Sequence, residues 1–241
     1  MPVMTVGTGR ALIPTGINYN DLVMGTQPIA YWPQSETAGV TAHCLVNPLQ
    51  DGTYTGVTLA NDNTGPFGTP APFYDGANDY CNILTAALNA AFNGAQGTSM
   101  VWGKVNAAGV WADATIRYLV HLFSGAANFI YQQKTAAVNG SQLRYIAGGV
   151  SDLVNVVNGT TDWFQYVLTW DKAGEELRAY LNGAQFGLTQ INLGVWAGAL
   201  IVASIGSYNL VPASPWHGWL GPVGLWDRTL TPAEVATVYA T

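Results

Sequence analysis

Charge is what this sequence has least of. Asp, Glu, Lys and Arg make up 9% of its 241 residues, against an ordinary share of about 25%. Eight basic residues face fourteen acidic ones, a formal net charge of −6. There is no basic run, so the surface that phosphate backbones require is missing and nucleic acid is not an expected partner. There is no apolar stretch of about 18 residues, so no membrane-spanning helix is expected. The opening MPVMTVGTGRALIPTG has one Arg and no sustained apolar core, and does not read as a secretory signal peptide. Cysteine is nearly absent. Cys44 and Cys81 are the two present, and no Cys or His spacing fits zinc. Two buried free thiols in a chain folded in a reducing compartment are expected, with a single disulfide as the alternative.

What is abundant is apolar and aromatic. Apolar residues reach 49%, with nine Trp and twelve Tyr beside 28 Gly and 12 Pro. That mixture suits many short strands joined by tight turns, not disorder. WFQYVLTWDKAGEELRAYLNG (163–183) reads as strand, turn, strand, closed by the turn signal Asn182-Gly183. Its first strand is apolar on both faces, so a loop, the N-terminal arm or another subunit must cover the second face. Further strands are expected at 29–32, 56–59, 80–83, 99–105, 118–123, 129–134, 142–147, 153–157, 199–204 and 218–226. Asn18 or Asn20 is placed to cap a short helix over 19–25, and 85–92 reads as a helical turn. Thr231, Pro232 and Glu234 form a capping box with proline at the first position of a C-terminal helix. The organisation is an arm with a short helix (1–28), then one all-β, two-sheet antiparallel sandwich (29–241).

Several segments, in order, resemble laminin G-like jelly-roll domains: IAYWPQSET (29–37), DGTYTGVTL (51–59), FYDGANDYCNI (73–83), SMVWGKV (99–105), ASIGSY (203–208) and WHGWLGPVGLWDRTLTPAEVATVY (216–239). The resemblance implies the concanavalin A-like lectin/glucanase jelly roll, a fold that does not itself fix function. It also frames what is missing. The glucanase branch carries Glu-x-Asp-x-x-Glu on one strand, and none of the fourteen acids makes that spacing. No Gly-x-Ser-x-Gly elbow occurs. His43 beside Cys44 points the other way in a strand, and His121 in YLVHLF reads as a core or interface histidine. The pentraxin-type calcium positions correspond to 207–209 and 212–217, which hold no acid. Asp75, Asn78 and Asp79 remain weak metal candidates around a turn, where backbone hydrogen bonding is the simpler role. No cofactor is expected beyond an optional structural calcium.

Metal-free sugar binding uses aromatic faces. The candidates are Trp111, Trp196, Tyr208, Trp216, His217 and Trp219, all in or near expected loops, with core packing as the competing role. The leading expectation is a non-enzymatic structural or adhesion protein of a virus-like particle: a bacteriophage capsid decoration or tail-associated protein. Its arm would dock on capsid or tail proteins as a homo-oligomer, made in the host cytoplasm, carried on the virion and extracellular after release. Surface glycans are the additional partner. The alternatives are a free or cell-surface lectin module and, last, a glycoside hydrolase with an atypical site.

Overall fold

Side chains that alternate between two faces need a second layer to bury the apolar one, and the chain supplies two antiparallel sheets. The computed structural model describes residues 18–59, 65–211 and 213–239; most of the expected arm lies outside them. The strands in chain order are β1 (Ala30–Trp32), β2 (Thr41–Ala42), β3 (Gly52–Thr55), β4 (Phe73–Asp75), β5 (Tyr80–Asn82), β6 (Gln96–Val105), β7 (Arg117–Gly125), β8 (Asn128–Lys134), β9 (Gly140–Ala147), β10 (Val150–Val157), β11 (Phe164–Asp171), β12 (Glu176–Leu181), β13 (Ala184–Ile191), β14 (Val202–Ile205) and β15 (His217–Trp226). The helices are α1 (Tyr19–Gly25), α2 (Ala86–Ala91), α3 (Ala108–Ala112) and α4 (Pro232–Tyr239). A seven-stranded sheet runs β1-β15-β6-β11-β12-β13, with β4 also on β15. An eight-stranded sheet runs β10-β9-β8-β7-β14-β5-β3-β2.

The hairpin at 163–183 sits in the seven-stranded sheet. Phe164, Tyr166, Leu168 and Trp170 fill the core between the sheets. Val167 faces outward with Tyr31, Met100, Trp102, Tyr180 and Trp226, and α1 and α4 cover them. The cover is latched by polar bonds. Trp102 Nε1 donates to the Tyr19 hydroxyl at 2.9 Å, and that hydroxyl donates to the Val238 carbonyl at 2.6 Å. Asn18, not Asn20, caps α1, in a box with Asp21. The Thr231–Glu234 box of α4 forms as well.

Two expectations are corrected. Residues 56–59 are not a strand: Gly56 takes φ +76° and the chain turns, leaving one bridge from Thr58 to Phe73. The strand is β3, just before. β13 was not anticipated because it is a sheet edge and its residues are mostly exposed, so it carries no apolar alternation. Asn182 (φ +52°) and Gly183 (φ +78°) make the left-handed turn that leads into it. Cys44 and Cys81 are buried and unlinked.

Candidate functional site

The six aromatic candidates do not converge. Trp111 and Trp216 are core residues, 1% and 0% exposed, packed edge to face at 6.5 Å. They present no ring to solvent. His217 and Trp219 lie on β15, with Trp219 between the Phe73 ring at 5.0 Å and the Lys104 ammonium at 5.6 Å. Trp196 rests over Gly94 beside Phe92 and donates Nε1 to the Gly198 carbonyl at 3.1 Å. Tyr208 alone lies on the outer face of the eight-stranded sheet.

That face holds what the loop candidates lack. Alternation turns Ile130, Leu143, Tyr145, Val154 and Val156 into the core, so their strand neighbours point out. Three cross-strand registers then build a patch. Phe123 pairs with Phe129, His121 with Tyr131, and Tyr118 with Gln133. The next strand sets Arg144 beside Tyr131 and Gln142 beside Gln133, and β10 sets Asn155 beside Gln142. The rings form one continuous surface: Phe129 stacks on Tyr131 at 5.8 Å, Tyr118 meets Tyr131 at 5.4 Å, and Tyr208 stacks on His121 at 4.5 Å. Tyr118, Phe123 and Phe129 are half-buried and Tyr208 is 37% exposed. Apart from Tyr208, sequence reasoning missed these residues because it looked mainly for Trp in loops. The signal was Phe129-x-Tyr131-x-Gln133, one face of a strand read at period two.

Burial pushes the His121 imidazole down to about 4, so the ring is neutral near pH 7. Its Nδ1 faces the Tyr208 carbonyl, which only accepts, so Nδ1 carries the hydrogen. Nε2 is therefore a buried acceptor, and it has no partner among the described residues; neither has Gln133 Oε1. Polar atoms buried this way are normally satisfied. The face thus combines apolar rings with side-chain amides and a guanidinium at its border, the mixture that small polar ligands require.

The acids do other work. Asp75 Oδ1 accepts from the Ala77 backbone N–H at 2.7 Å, and Asp79 Oδ2 from that of Asp75 at 2.7 Å. Among the described residues no group of three His, Cys, Asp or Glu gathers for a metal. Glu175 and Glu176 pair with Lys172 and Arg178 beside the turn. His43 is exposed against Asp51 while Cys44 is buried, both just beyond the end of β2.

A laminin G-type family model of the concanavalin A-like lectin/glucanases superfamily matches residues 51–236. The chain belongs to this family. Solved structures share the fold. One is domain 4 of AbnA, a GH43 extracellular arabinanase from Geobacillus stearothermophilus, in complex with arabinotriose. It is 14% identical, with TM-score 0.64 over 88% of this chain and 98% of that one. Another is the binding domain of botulinum neurotoxin serotype D, 12% identical, with TM-score 0.62. There the match covers 88% of this chain but only 51% of the toxin domain, so this laminin G-like unit spans about half of that neighbour's length. At such identities the likeness is one of fold. No curated protein matches by sequence.

Proposed function

We propose that this is a non-enzymatic, lectin-like adhesion module that binds glycans on the outer face of its eight-stranded sheet. The observation that carries the reading is the continuous surface of Tyr118, Phe123, Phe129, Tyr131 and Tyr208, bordered by Gln133, Gln142 and Arg144. Sugar rings stack on aromatic faces, and their hydroxyls bond to the side-chain amides that border them. The arabinotriose complex of AbnA domain 4, on the same fold, supports the reading.

A glycan array with calorimetry on its hits tests it. Phe129→Ala is expected to weaken binding about tenfold or more, the usual cost of losing an aromatic anchor. Trp219→Phe, on the other sheet, is expected to leave binding unchanged. The reverse pattern would move the site to β15, and sugar release that disappears with one carboxylate would make the protein a hydrolase.

A second reading puts the same module on a bacteriophage particle, as capsid decoration or a tail-associated protein that self-associates there. The observation in its favour is an apolar side of the sandwich. Leu188 and Ile191 on edge strand β13, and Val150 and Val157 on edge strand β10, are exposed, and no charge interrupts β13. Quantitative peptide mass spectrometry on purified particles checks it. Copy numbers near that of the major capsid protein mean decoration, a few copies mean a tail adhesin, and absence removes the reading.

A further inference from the structure

We infer that the ligand of this face is an acidic glycan, held through a sugar carboxylate by the guanidinium of Arg144. The inference rests on the glycan-binding reading above and adds the chemical class of the ligand. It starts from charge. The chain is acidic overall, yet the described strand residues that point out of the eight-stranded sheet include no carboxylate near the aromatic patch. Asp152, on the neighbouring strand, shares the inward parity of Val154 and Val156. Arg144 is the one permanent charge of the patch.

Its situation differs from that of five other cations. Arg117, Lys134, Lys172, Arg178 and Arg228 each pair with a carboxylate of the chain. Arg144 pairs with none among the described residues. It is nevertheless held in place. Nε donates to Ser151 Oγ at 2.9 Å and Nη1 to the Tyr131 hydroxyl at 3.2 Å. That hydroxyl in turn donates to Gln142 Oε1, which turns its lone pairs toward the guanidinium. The guanidinium carbon lies 5.8 Å from the Phe129 ring centre and 5.9 Å from that of Tyr131.

These contacts use one hydrogen of Nε and one of Nη1. Of the five donors of a guanidinium, the second Nη1 hydrogen and both Nη2 hydrogens remain. They are available to the oxygens of a carboxylate. The guanidinium lies over the Phe129 and Tyr131 rings, which leaves Tyr118 and Tyr208 beside it as the rings on which a pyranose would stack. Its orientation is fixed before binding, so little entropy is lost when a ligand arrives. A sulfate would also be attracted, and two of its oxygens can take guanidinium hydrogens as well, so sulfated analogues belong in the test.

The test is calorimetry on matched glycan pairs: uronic or sialic acid oligosaccharides, their carboxyl-reduced or acid-free counterparts, and sulfated analogues. The acid member is expected to bind about tenfold tighter, the usual worth of a charge-assisted hydrogen bond. The preference should shrink as salt rises. Arg144→Gln is expected to erase the preference, read as the ratio of acid to neutral affinity, with an unchanged circular dichroism spectrum. Equal or tighter binding of the neutral member would overturn the acidic class while leaving a glycan-binding protein. So would a preference for sulfate over carboxylate, or an Arg144→Gln variant that keeps the parent's ratio of acid to neutral affinity. Failure of every pair to bind would remove both the inference and the reading beneath it.

Discussion

Asp113→Ala is expected to lower stability by about 1.5–3 kcal/mol, the worth of hydrogen bonds to a charged group, since the carboxylate itself is 32% exposed. In a chain of this size that is a fall of about 5–10 °C in Tm. The Lys134 side chain is fully buried, and its ammonium donates to Asp113 Oδ1 at 2.7 Å, to the Asp113 carbonyl and to the Thr115 carbonyl. Arg117 donates to the second carboxylate oxygen at 2.9 Å. Removing the carboxylate leaves the buried ammonium with two carbonyl acceptors and no counter-charge. Lys134→Met in the Asp113→Ala background is expected to recover part of the loss, because it removes that charge. Chemical denaturation measures both, and a cost below about 1 kcal/mol for Asp113→Ala would sink this account.

The same triad sets an acid limit. Burial by itself raises the Asp113 carboxyl, but hydrogen bonds from Lys134, Arg117 and the Thr115 backbone outweigh it and hold the group at about 2, against an ordinary 3.8. A depressed carboxyl contributes stability that is fully present above its unfolded value and is lost as pH falls through the folded one. The stability gap between the parent and Asp113→Ala is therefore expected to be constant above pH ~4 and to narrow between ~4 and ~2. Glu234, held at about 2 chiefly by Arg228, titrates in the same window in both proteins and cancels from the difference.

Trp102→Ala is expected to cost about 3–5 kcal/mol and to loosen α1 and α4 selectively. The Trp102 ring is fully buried, stacks on Tyr239 at 5.5 Å and donates to the Tyr19 hydroxyl. Truncation leaves a cavity between the seven-stranded sheet and both helices, and takes the donor from Tyr19. Hydrogen exchange should then quicken in residues 19–25 and 232–239 more than in β11. Uniform quickening across both sheets would mean that the helices are not a separate cover but part of one cooperative unit.

Much of this architecture could be read from the residues alone. Aromatic and β-branched runs bounded by Gly, Asn and Asp located most strands, because a strand is recorded locally in every second side chain. Thr231, Pro232 and Glu234 fixed the start of α4, since capping is settled within one turn of helix. The run Trp163 to Trp170 stated that both of its faces are covered. The residues could not say by what, because Tyr19 and Val238 reach Trp102 only once the chain has closed around the sheet. The candidate site was still less legible. Trp111 and Trp216 have the chemistry of a sugar platform, and burial withdraws them from solvent. Tyr118, His121, Tyr131, Arg144 and Tyr208 come from four separate segments, and none is conspicuous in its own neighbourhood. Sequence determined which residues alternate and therefore that a sandwich forms. Tertiary structure decided which outward face stays open, because strand order and register, the product of long-range pairing, place those side chains within reach of one another.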